Sequence, residues 1–148
     1  MRATFPVTVH LFLFRGDRVL LSRRYNTGYE DGSYGLPAGH LEGGETVSQA
    51  AAREAKEELG IEVNAQDIRF AGVMHRKSDD ERVDFFVRVD RWTGEPSNQE
   101  PEKCDDLRWT DLSSLPVNII PYIRQALENY RQGKTFDEFG WDGLPGSG

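Results

Sequence analysis

The sequence predicts an α/β or α+β fold, because β-strands are expected on both sides of a central helix and a second helix follows late in the chain. Three features support this prediction: a strand–turn–strand pattern near the start, a capped helix in the middle, and a helix that begins at a proline near the end. The chain has 148 residues and contains no internal repeat or low-complexity linker. We therefore expect one domain over residues 1–148.

The first part of the chain predicts a hairpin followed by an interrupted strand. The segments 7–14 and 18–24 flank Gly16 and Asp17, a pair that favours a tight turn. A loop rich in glycine, asparagine and aspartate comes next. Downstream, Pro37 and four glycines break a short strand, and such glycines let the backbone approach a ligand closely.

The central helix is predicted from Thr46 to Leu59. Thr46 and Gln49 have the spacing of a capping box, and the alanines between them and the helix end favour helix. Gly60 provides the C-terminal stop. This helix carries the residues on which the functional prediction depends.

Three more strands and a second helix are predicted in the second half of the chain. The strand segments are 68–76, 82–92 and 106–112. The segment 121–133 predicts a helix whose apolar face packs on the sheet, formed by Ile123, Ala126, Leu127 and Tyr130. The polar, glycine-rich segment 135–148 is expected to be a peripheral tail.

Composition narrows the classes of function. The formal net charge of −7 disfavours a nucleic acid polymer as partner, although a small anionic ligand is compatible if cations neutralise it locally. No apolar run is long enough to span a bilayer, so no membrane partner is expected. Cys104 is the single cysteine and cannot form an internal disulfide, which fits a cytoplasmic location. The sequence is compatible with a monomer or a homodimer.

Three glutamates share one stripe near the C-terminal end of the central helix. Glu54 and Glu58 are one turn apart, and Glu57 is three residues from Glu54. Like charges at this spacing destabilise a helix by about 0.2–0.5 kcal/mol per pair, and the helix dipole adds about 0.3–1 kcal/mol. The stripe is either a solvated acidic face or a cation site. The upstream glycines, with Glu42 and Glu45 nearby, favour Mg²⁺ or Mn²⁺, because hard oxygen ligands select these ions over zinc.

The stretch from Gly39 to Ile61 resembles the complete Nudix box, Gly-x5-Glu-x7-Arg-Glu-U-x-Glu-Glu-x-Gly-U, in which U is apolar. All of its fixed positions match: Gly39, Glu45, Arg53, Glu54, Glu57, Glu58 and Gly60. A match of this kind arises by chance in such a chain about once in a million. The resemblance implies a Nudix fold, which is an α/β/α sandwich with a mixed central sheet.

The resemblance also implies a reaction and roles for the box residues. The reaction is hydrolysis of a nucleoside diphosphate linked to another group, with Mg²⁺ as cofactor and Mn²⁺ as a substitute. Glu57 and Glu58 would be the main metal ligands, and Glu54 a further ligand or the general base. The backbone carbonyl of Ala38 would complete the metal shell, and Arg53 would orient the carboxylates. A metal neutralises pyrophosphate charge and acidifies water, so a carboxylate can act as base near neutral pH.

Four residues outside the box are further candidates. Arg23 and Arg24 end the second predicted strand, where MutT-type members offer arginine to phosphate, although solvated strand-end charges are the alternative. Glu100 is preferred over Glu102 as a further acidic residue near the metal, with a solvent role as its alternative. Asn118 lies in a segment that resembles the purine-binding segment of MutT-type enzymes, but an asparagine there can instead bond its own backbone.

Together these residues predict a Mg²⁺-dependent hydrolase that cleaves a pyrophosphate bond in a small nucleotide. The preferred substrate class is a (deoxy)nucleoside triphosphate, including oxidised purine nucleotides, with release of monophosphate and pyrophosphate. ADP-ribose or another nucleotide-sugar is the alternative, and a capped RNA end stays open. A catalytically silent Nudix domain that binds a nucleotide or a protein is disfavoured, because no box carboxylate is lost.

Overall fold

The order of strands and helices follows the predicted hairpin, central helix, later strands and late helix. A computed structural model describes residues 2–141. Its elements are β1 Val7–Arg15, β2 Arg18–Arg24, β3 Tyr34–Gly35, β4 Ala38–His40, α1 Val47–Leu59, β5 Ile68–Lys77, β6 Glu81–Val89, β7 Cys104–Asp111, α2 Pro121–Arg131 and β8 Phe136–Phe139. Neither helix in this part of the chain is long and apolar enough to cross a bilayer.

Local sequence signals determine where the first elements begin and end. Gly16 has a φ of 61°, a left-handed conformation that glycine adopts without strain, and it links β1 to its antiparallel partner β2. At the start of α1 the Thr46 hydroxyl accepts from the Gln49 N–H at 3.1 Å, and the Gln49 side chain accepts from the Thr46 N–H at 2.8 Å. Gly60 ends the helix with a φ of 70°. The predicted hairpin, capping box and helix stop are confirmed.

Strand pairing produces one mixed sheet of eight strands. The order is β3-β2-β1-β6-β5-β8, and in addition β4 pairs with β1 and β7 pairs with β2. The β1–β6 and β5–β8 pairs are parallel, and the other pairs are antiparallel. Strand β1 contacts β2, β4 and β6, so the sheet is built around it.

The two faces of β1 belong to two apolar cores, because successive side chains of a strand point to opposite faces of the sheet. One core packs against α1 and includes Val9, Leu11, Leu13, Ala51, Ala55 and Leu59. The other packs against α2 and includes Phe12, Phe14, Ile123, Ala126 and Leu127. The sheet therefore has a helix on each face, and the predicted α/β/α sandwich with a mixed sheet is confirmed.

Strand β8 is an element that the sequence does not predict. It pairs in parallel with β5, and Trp141 just after it donates its indole N–H to the His75 carbonyl at 3.0 Å. Two adjacent acidic residues interrupt its apolar pattern, and one of them, Asp137, accepts from the Asn129 side chain of α2 at 2.8 Å. The strand therefore depends on contacts distant in sequence. Residues 142–148, the rest of the expected tail, lie outside the described residues.

Replacing Thr46 with alanine is expected to lower the free energy of unfolding by about 1 kcal/mol, because the Gln49 N–H loses its acceptor. Urea unfolding followed by circular dichroism measures this change. Ser48→Ala is the matched control, since Ser48 lies in the same helical turn but outside the capping box. Its effect is expected to stay within about 0.5 kcal/mol. Equal losses in the two variants would contradict the assigned cap.

Candidate active site

A cleft of about 800 Å³ opens between α1, the β3–β4 segment, the β5–β6 turn and the start of α2. This volume lies within the range of about 300–1,000 Å³ that is typical of small-molecule sites. The cleft brings together seven of the predicted site residues: Arg23, Arg24, Ala38, Glu54, Glu57, Glu58 and Glu100. Arg53 and Asn118, the other two predicted site residues, are not part of the lining.

Glu54 lies against the backbone of β4, where Gly39 makes room for it. A Cβ atom at Gly39 would overlap the Glu54 carboxylate. The Glu54 side chain is buried, and burial raises its pKa while the neighbouring Arg53 charge opposes that shift. A side chain at this fixed glycine of the box would therefore have to displace the carboxylate of the first glutamate of the helical stripe.

Arg53, which is not part of the cleft lining, holds the Glu54 and Glu57 carboxylates in place. One of its terminal nitrogens donates to Glu54 at 2.7 Å and to Glu57 at 3.3 Å. The other donates to Glu45 at 2.8 Å and to the His40 carbonyl at 3.1 Å. Hydrogen bonding to Glu45 raises the pKa of Arg53, so the guanidinium stays charged. Arg53 thus fixes the directions of the two helix carboxylates and ties α1 to the preceding loop.

Glu58 is the least satisfied carboxylate of the cleft. Its Oε2 atom is buried and has no hydrogen-bond partner among residues 2–141. Burial raises the pKa of Glu58 well above its ordinary value, and the charges of Glu54 and Glu100 raise it further. A cation at this oxygen would supply the missing partner and stabilise the ionised form.

Glu100 faces the helix carboxylates from the loop between β6 and β7. The Asn98 side chain shapes this loop, because its oxygen accepts from the Glu100 N–H at 3.0 Å and its nitrogen donates to the Cys104 carbonyl at 2.6 Å. Glu102 is exposed and does not line the cleft. Of the two acidic residues in this loop, the structure brings Glu100 to the box carboxylates.

The chemistry of the donor set fits a divalent metal, since Glu54, Glu57, Glu58 and Glu100 offer the carboxylate oxygens that Mg²⁺ prefers. The unpartnered Glu58 oxygen points to the same conclusion. As the side chains stand, however, no three His, Cys, Asp or Glu residues within the described part of the chain are grouped to hold an ion. Arg53 binds two of the carboxylates. Metal binding would require those two to turn toward Glu58.

The two predicted phosphate-binding arginines line the cleft, but each already has a protein partner. Arg23 donates to Asp105 at 2.7 Å. Arg24 donates to the Tyr29 carbonyl at 2.7 Å and to the Thr27 hydroxyl at 3.1 Å. A guanidinium has further N–H donors, so these contacts orient the arginines without exhausting their capacity for phosphate.

Asn118 is placed away from the cleft lining, in an exposed loop. Its side-chain amide donates to the Gly32 carbonyl at 2.9 Å, and its own carbonyl accepts from the Tyr34 N–H at 2.9 Å. These contacts bridge two backbone segments, in line with the backbone-bonding alternative. A contact between Asn118 and a purine base stays a prediction.

A buried polar cluster that the sequence does not predict lies on the face of β1 opposite α1. Its centre is Asp84, which accepts from Arg76 at 2.7 Å and lies 3.0 Å from Nε2 of His10. Burial alone would raise the pKa of Asp84, but the hydrogen bonds from His10 and Arg76 lower it. Burial lowers the pKa of His10. The available signal was a pair of polar residues, Thr8 and His10, on one face of an otherwise apolar strand.

The α/β/α sandwich and the helix carboxylates that line one cleft are the arrangement of a Nudix domain. The family model described as NUDIX domain matches residues 4–131. The chain therefore belongs to the Nudix family.

Relatives within this family differ in their substrates. The chain is 32% identical over 117 residues to the NAD-capped RNA hydrolase NudC of Stutzerimonas stutzeri, covering 78% of this chain and 39% of that protein. It is 30% identical over 142 residues to the isopentenyl-diphosphate Delta-isomerase of Cereibacter sphaeroides, covering 85% and 78%. It is also 30% identical over 128 residues to the ADP compounds hydrolase NudE of Escherichia coli, covering 85% and 68%. The chain thus spans about two fifths of the length of the NudC relative.

Solved structures support the same assignment. The crystal structure of a MutT NUDIX hydrolase from Burkholderia pseudomallei superposes with a TM-score of 0.78 at 29% sequence identity. The superposition covers 85% of this chain and 98% of that one. The likeness therefore extends well beyond the box.

Gly39→Ala is expected to displace the Glu54 carboxylate and to weaken Mn²⁺ binding by about 10–100-fold, the effect typical of residues that position metal ligands. Calorimetric titration of the metal-free protein with Mn²⁺ measures the affinity, and circular dichroism checks the fold. Gly43→Ala is the matched control, because a Cβ at Gly43 meets nothing within 4 Å. Unchanged affinity in Gly39→Ala would show that this contact does not position a metal ligand.

Glu58→Gln is expected to raise the Tm of the metal-free protein at neutral pH. The pKa of Glu58 is raised in the folded state, so the folded protein holds this proton more tightly than the unfolded chain and loses stability as pH rises above the ordinary value of 4.5. The amide removes that loss, and the difference in Tm should shrink toward pH 4.5. Mn²⁺ should raise the Tm of the parent but not of the variant.

Glu62→Gln is the control for this experiment, since Glu62 is exposed and paired with Lys56 outside the cleft. Thermal unfolding of the three proteins across the acid range gives the comparison. A metal-free Glu58→Gln protein less stable than the parent at neutral pH would show that the fold accommodates the charged form well.

Proposed function

We propose that the chain is a Mg²⁺-dependent enzyme that hydrolyses a pyrophosphate bond in a small nucleotide, preferably a (deoxy)nucleoside triphosphate. The proposal is carried by one observation: the box carboxylates of α1 and Glu100 from a separate loop line the same cleft as the arginines of β2. Carboxylate oxygens and guanidinium N–H groups thus share one ligand-sized space, which supports the binding of a metal ion and a phosphate chain. The 28% identity to the putative 8-oxo-dGTP diphosphatase of Bacillus subtilis, over 83% of this chain, supports the triphosphate class.

The carboxylates have distinct roles in this proposal. Mg²⁺, when bound, would neutralise pyrophosphate charge and acidify water. Glu57 and Glu58 would hold the ion together with the carbonyl of Ala38, and Glu54 would be a further ligand or the base. A raised pKa suits Glu54 to accept a proton near neutral pH. The water oxygen forms a bond to phosphorus, the bridging P–O bond of the anhydride breaks, and the water proton passes to a carboxylate.

The arginines would bind the part of the substrate that carries the most charge. Arg23 and Arg24 emerge from adjacent positions at the end of β2, and Asp105 and the Tyr29 carbonyl limit their freedom. Preorganised guanidinium groups lose less conformational freedom when they bind phosphate oxygens. Lys103 lines the same cleft and adds positive charge.

A second candidate substrate class is ADP-ribose or another ADP-linked compound. It is favoured by the 30% identity to the ADP compounds hydrolase NudE, which extends over 85% of this chain. The pyrophosphate is common to both classes, and only the group attached beyond it differs. The residues that hold the pyrophosphate therefore do not distinguish them.

Product analysis on a substrate panel separates these proposals. The purified protein is incubated with Mg²⁺ and unmodified or oxidised nucleoside triphosphates, ADP-ribose, NAD or isopentenyl diphosphate, in water enriched in oxygen-18. The preferred proposal requires monophosphate and pyrophosphate from a triphosphate, with the label in one product. Turnover of ADP-ribose alone would select the second class. Nucleotide binding without turnover across the panel would indicate a silent binding domain.

Glu57→Gln is expected to lower kcat by at least about 100-fold. Loss of a residue that only orients a metal ligand typically costs about 10–100-fold, and loss of the ligand itself should cost more. The fold should persist, since the Glu57 side chain is 57% exposed. Steady-state kinetics on the best substrate of the panel measures the loss. Glu62→Gln, which changes an exposed glutamate outside the cleft, should keep the parental rate. Retention of most activity in Glu57→Gln would exclude Glu57 as a main ligand.

A further inference from the structure

The loop between β6 and β7 is hydrogen-bonded to the C-terminal end of α1. The last carbonyl groups of an α-helix have no partner within the helix. Here the Glu58 carbonyl accepts from the Gln99 N–H and the Leu59 carbonyl accepts from the Ser97 N–H, both at 3.0 Å. The packing is close, because a Cβ atom at Gly60 would meet the Gln99 side chain at 3.1 Å. The loop therefore closes the end of the helix that carries Glu58.

The other end of this loop is hydrogen-bonded to the chain just beyond β2. The Lys103 carbonyl accepts from the Tyr25 N–H at 2.9 Å. Cys104, the first residue of β7, is opposite Arg24 in the β2–β7 ladder. The loop thus spans from the helix that carries the box carboxylates to the strand that carries the proposed phosphate-binding arginines, and backbone hydrogen bonds fix both of its ends.

A tight turn within the loop carries Glu100. The Glu100 carbonyl accepts from the N–H groups of Lys103 and Cys104, both at 2.9 Å. The Asn98 side chain bridges this turn, because its oxygen accepts from the Glu100 N–H at 3.0 Å and its nitrogen donates to the Cys104 carbonyl at 2.6 Å. These backbone groups determine the orientation of the amide, since an N–H can only donate and a carbonyl can only accept.

Asparagine is well suited to this position, because the task needs an acceptor and a donor on one short side chain. Aspartate would accept from the Glu100 N–H but would present a second acceptor to the Cys104 carbonyl. Serine can accept from an N–H two residues later, but its single hydroxyl is a weaker bridge. Alanine would leave the Glu100 N–H and the Cys104 carbonyl without their side-chain partner.

Glu100 depends on such support more than the carboxylates of α1 do. The helix sets the spacing of those carboxylates, and Arg53 anchors Glu54 and Glu57 directly. The one ion pair of the Glu100 side chain in the described part of the chain is a 4.0 Å contact with Lys103. The position of Glu100 is therefore set mainly by the backbone of its loop, and functional side chains on loops require such supporting contacts.

We propose that Asn98 is a positioning residue of the metal site, which directs Glu100 toward the box carboxylates of α1 by fixing the backbone around it. This inference rests on the proposed function, which supplies the metal. Asn98 lines the cleft as well, so a direct contact with a ligand has to be distinguished from an effect through Glu100. If Asn98 acts through Glu100, its loss cannot weaken metal binding more than the loss of Glu100 does.

A double-mutant cycle tests this dependence by calorimetric titration of the metal-free protein with Mn²⁺, without substrate. Asn98→Ala is expected to weaken Mn²⁺ binding by about tenfold, the lower end of the effect of residues that orient metal ligands. In the Glu100→Gln background the same substitution should change the affinity by less than about twofold. Unchanged affinity in Asn98→Ala, unchanged affinity in Glu100→Gln, or equal losses in both backgrounds would overturn the proposal.

Asn64→Ala is the matched control. The Asn64 side chain accepts from the Gln66 N–H at 3.2 Å, the same spacing as Asn98 and Glu100, but it lies outside the cleft lining. This variant is expected to keep the parental Mn²⁺ affinity, and circular dichroism checks the fold of every protein. If Asn98→Ala does not fold, Asn98→Ser replaces it, with a smaller loss of affinity that again disappears in the Glu100→Gln background.

Amide hydrogen exchange separates the positioning of Glu100 from detachment of the whole loop. In Asn98→Ala the Glu100 N–H loses its acceptor and should exchange faster than in the parent. The Ser97 and Gln99 N–H groups keep their helix carbonyls and should stay protected. Faster exchange at all three positions would overturn the proposal, because Asn98 would then only tether the loop.

These measurements also separate failure of this inference from failure of the proposed function. A parent protein that binds Mn²⁺ but turns over no substrate would count against the proposed function alone, because neither measurement depends on hydrolysis. A parent that binds Mn²⁺ with an affinity that depends on Glu57 but not on Asn98 would overturn this inference alone. A parent that binds no Mn²⁺ would overturn both.

Discussion

The site depends on the close packing of α1 against the backbone of β4. Gly39 has no side chain, so the Glu54 carboxylate lies where any other residue would place a Cβ atom. Burying a carboxylate is costly unless it is paired, and Arg53 supplies the pair for Glu54 and for Glu45. Among residues 2–141, Glu58, one turn further along, receives no such partner for its buried Oε2 atom. The packing that pairs Glu54 therefore leaves the neighbouring carboxyl group unsatisfied.

The rest of the fold provides the stability that this arrangement requires. The α1 face is anchored by small and apolar side chains, Ala51, Ala55 and Leu59, packed on the inner residues of β1. The second core, beneath α2, supports β1 from the other side. With both faces of the strand packed, the carboxylate stripe cannot relax by moving the helix. Because apolar cores pack both faces of β1, the fold tolerates a locally unfavourable group of charges, as is typical where function overrides local stability.

What the sequence predicts well is what depends on neighbouring residues. The hairpin turn at Gly16 and the capping box at Thr46 are local, so they could be placed before the structure was known. The spacing of the box likewise predicted which carboxylates share a cleft. Strand β8 could not be predicted, because its pairing with β5 and the bond from Asn129 to Asp137 are tertiary contacts. The contact between His10 and Asp84 joins residues 74 positions apart and exists only because β1 and β6 pair in parallel.

The alternation of side chains along β1 also explains why the box alone does not reveal the substrate. The box residues lie on the α1 side and at β4, and they are proposed to bind the pyrophosphate that the proposed substrate classes share. Thr8 and His10 project to the other face of the same strand, outside the box. Residues on that face can differ among relatives without disturbing Glu54 or its contact with Gly39. Relatives named for NAD-capped RNA, ADP compounds and isopentenyl diphosphate are the variety that such a division allows.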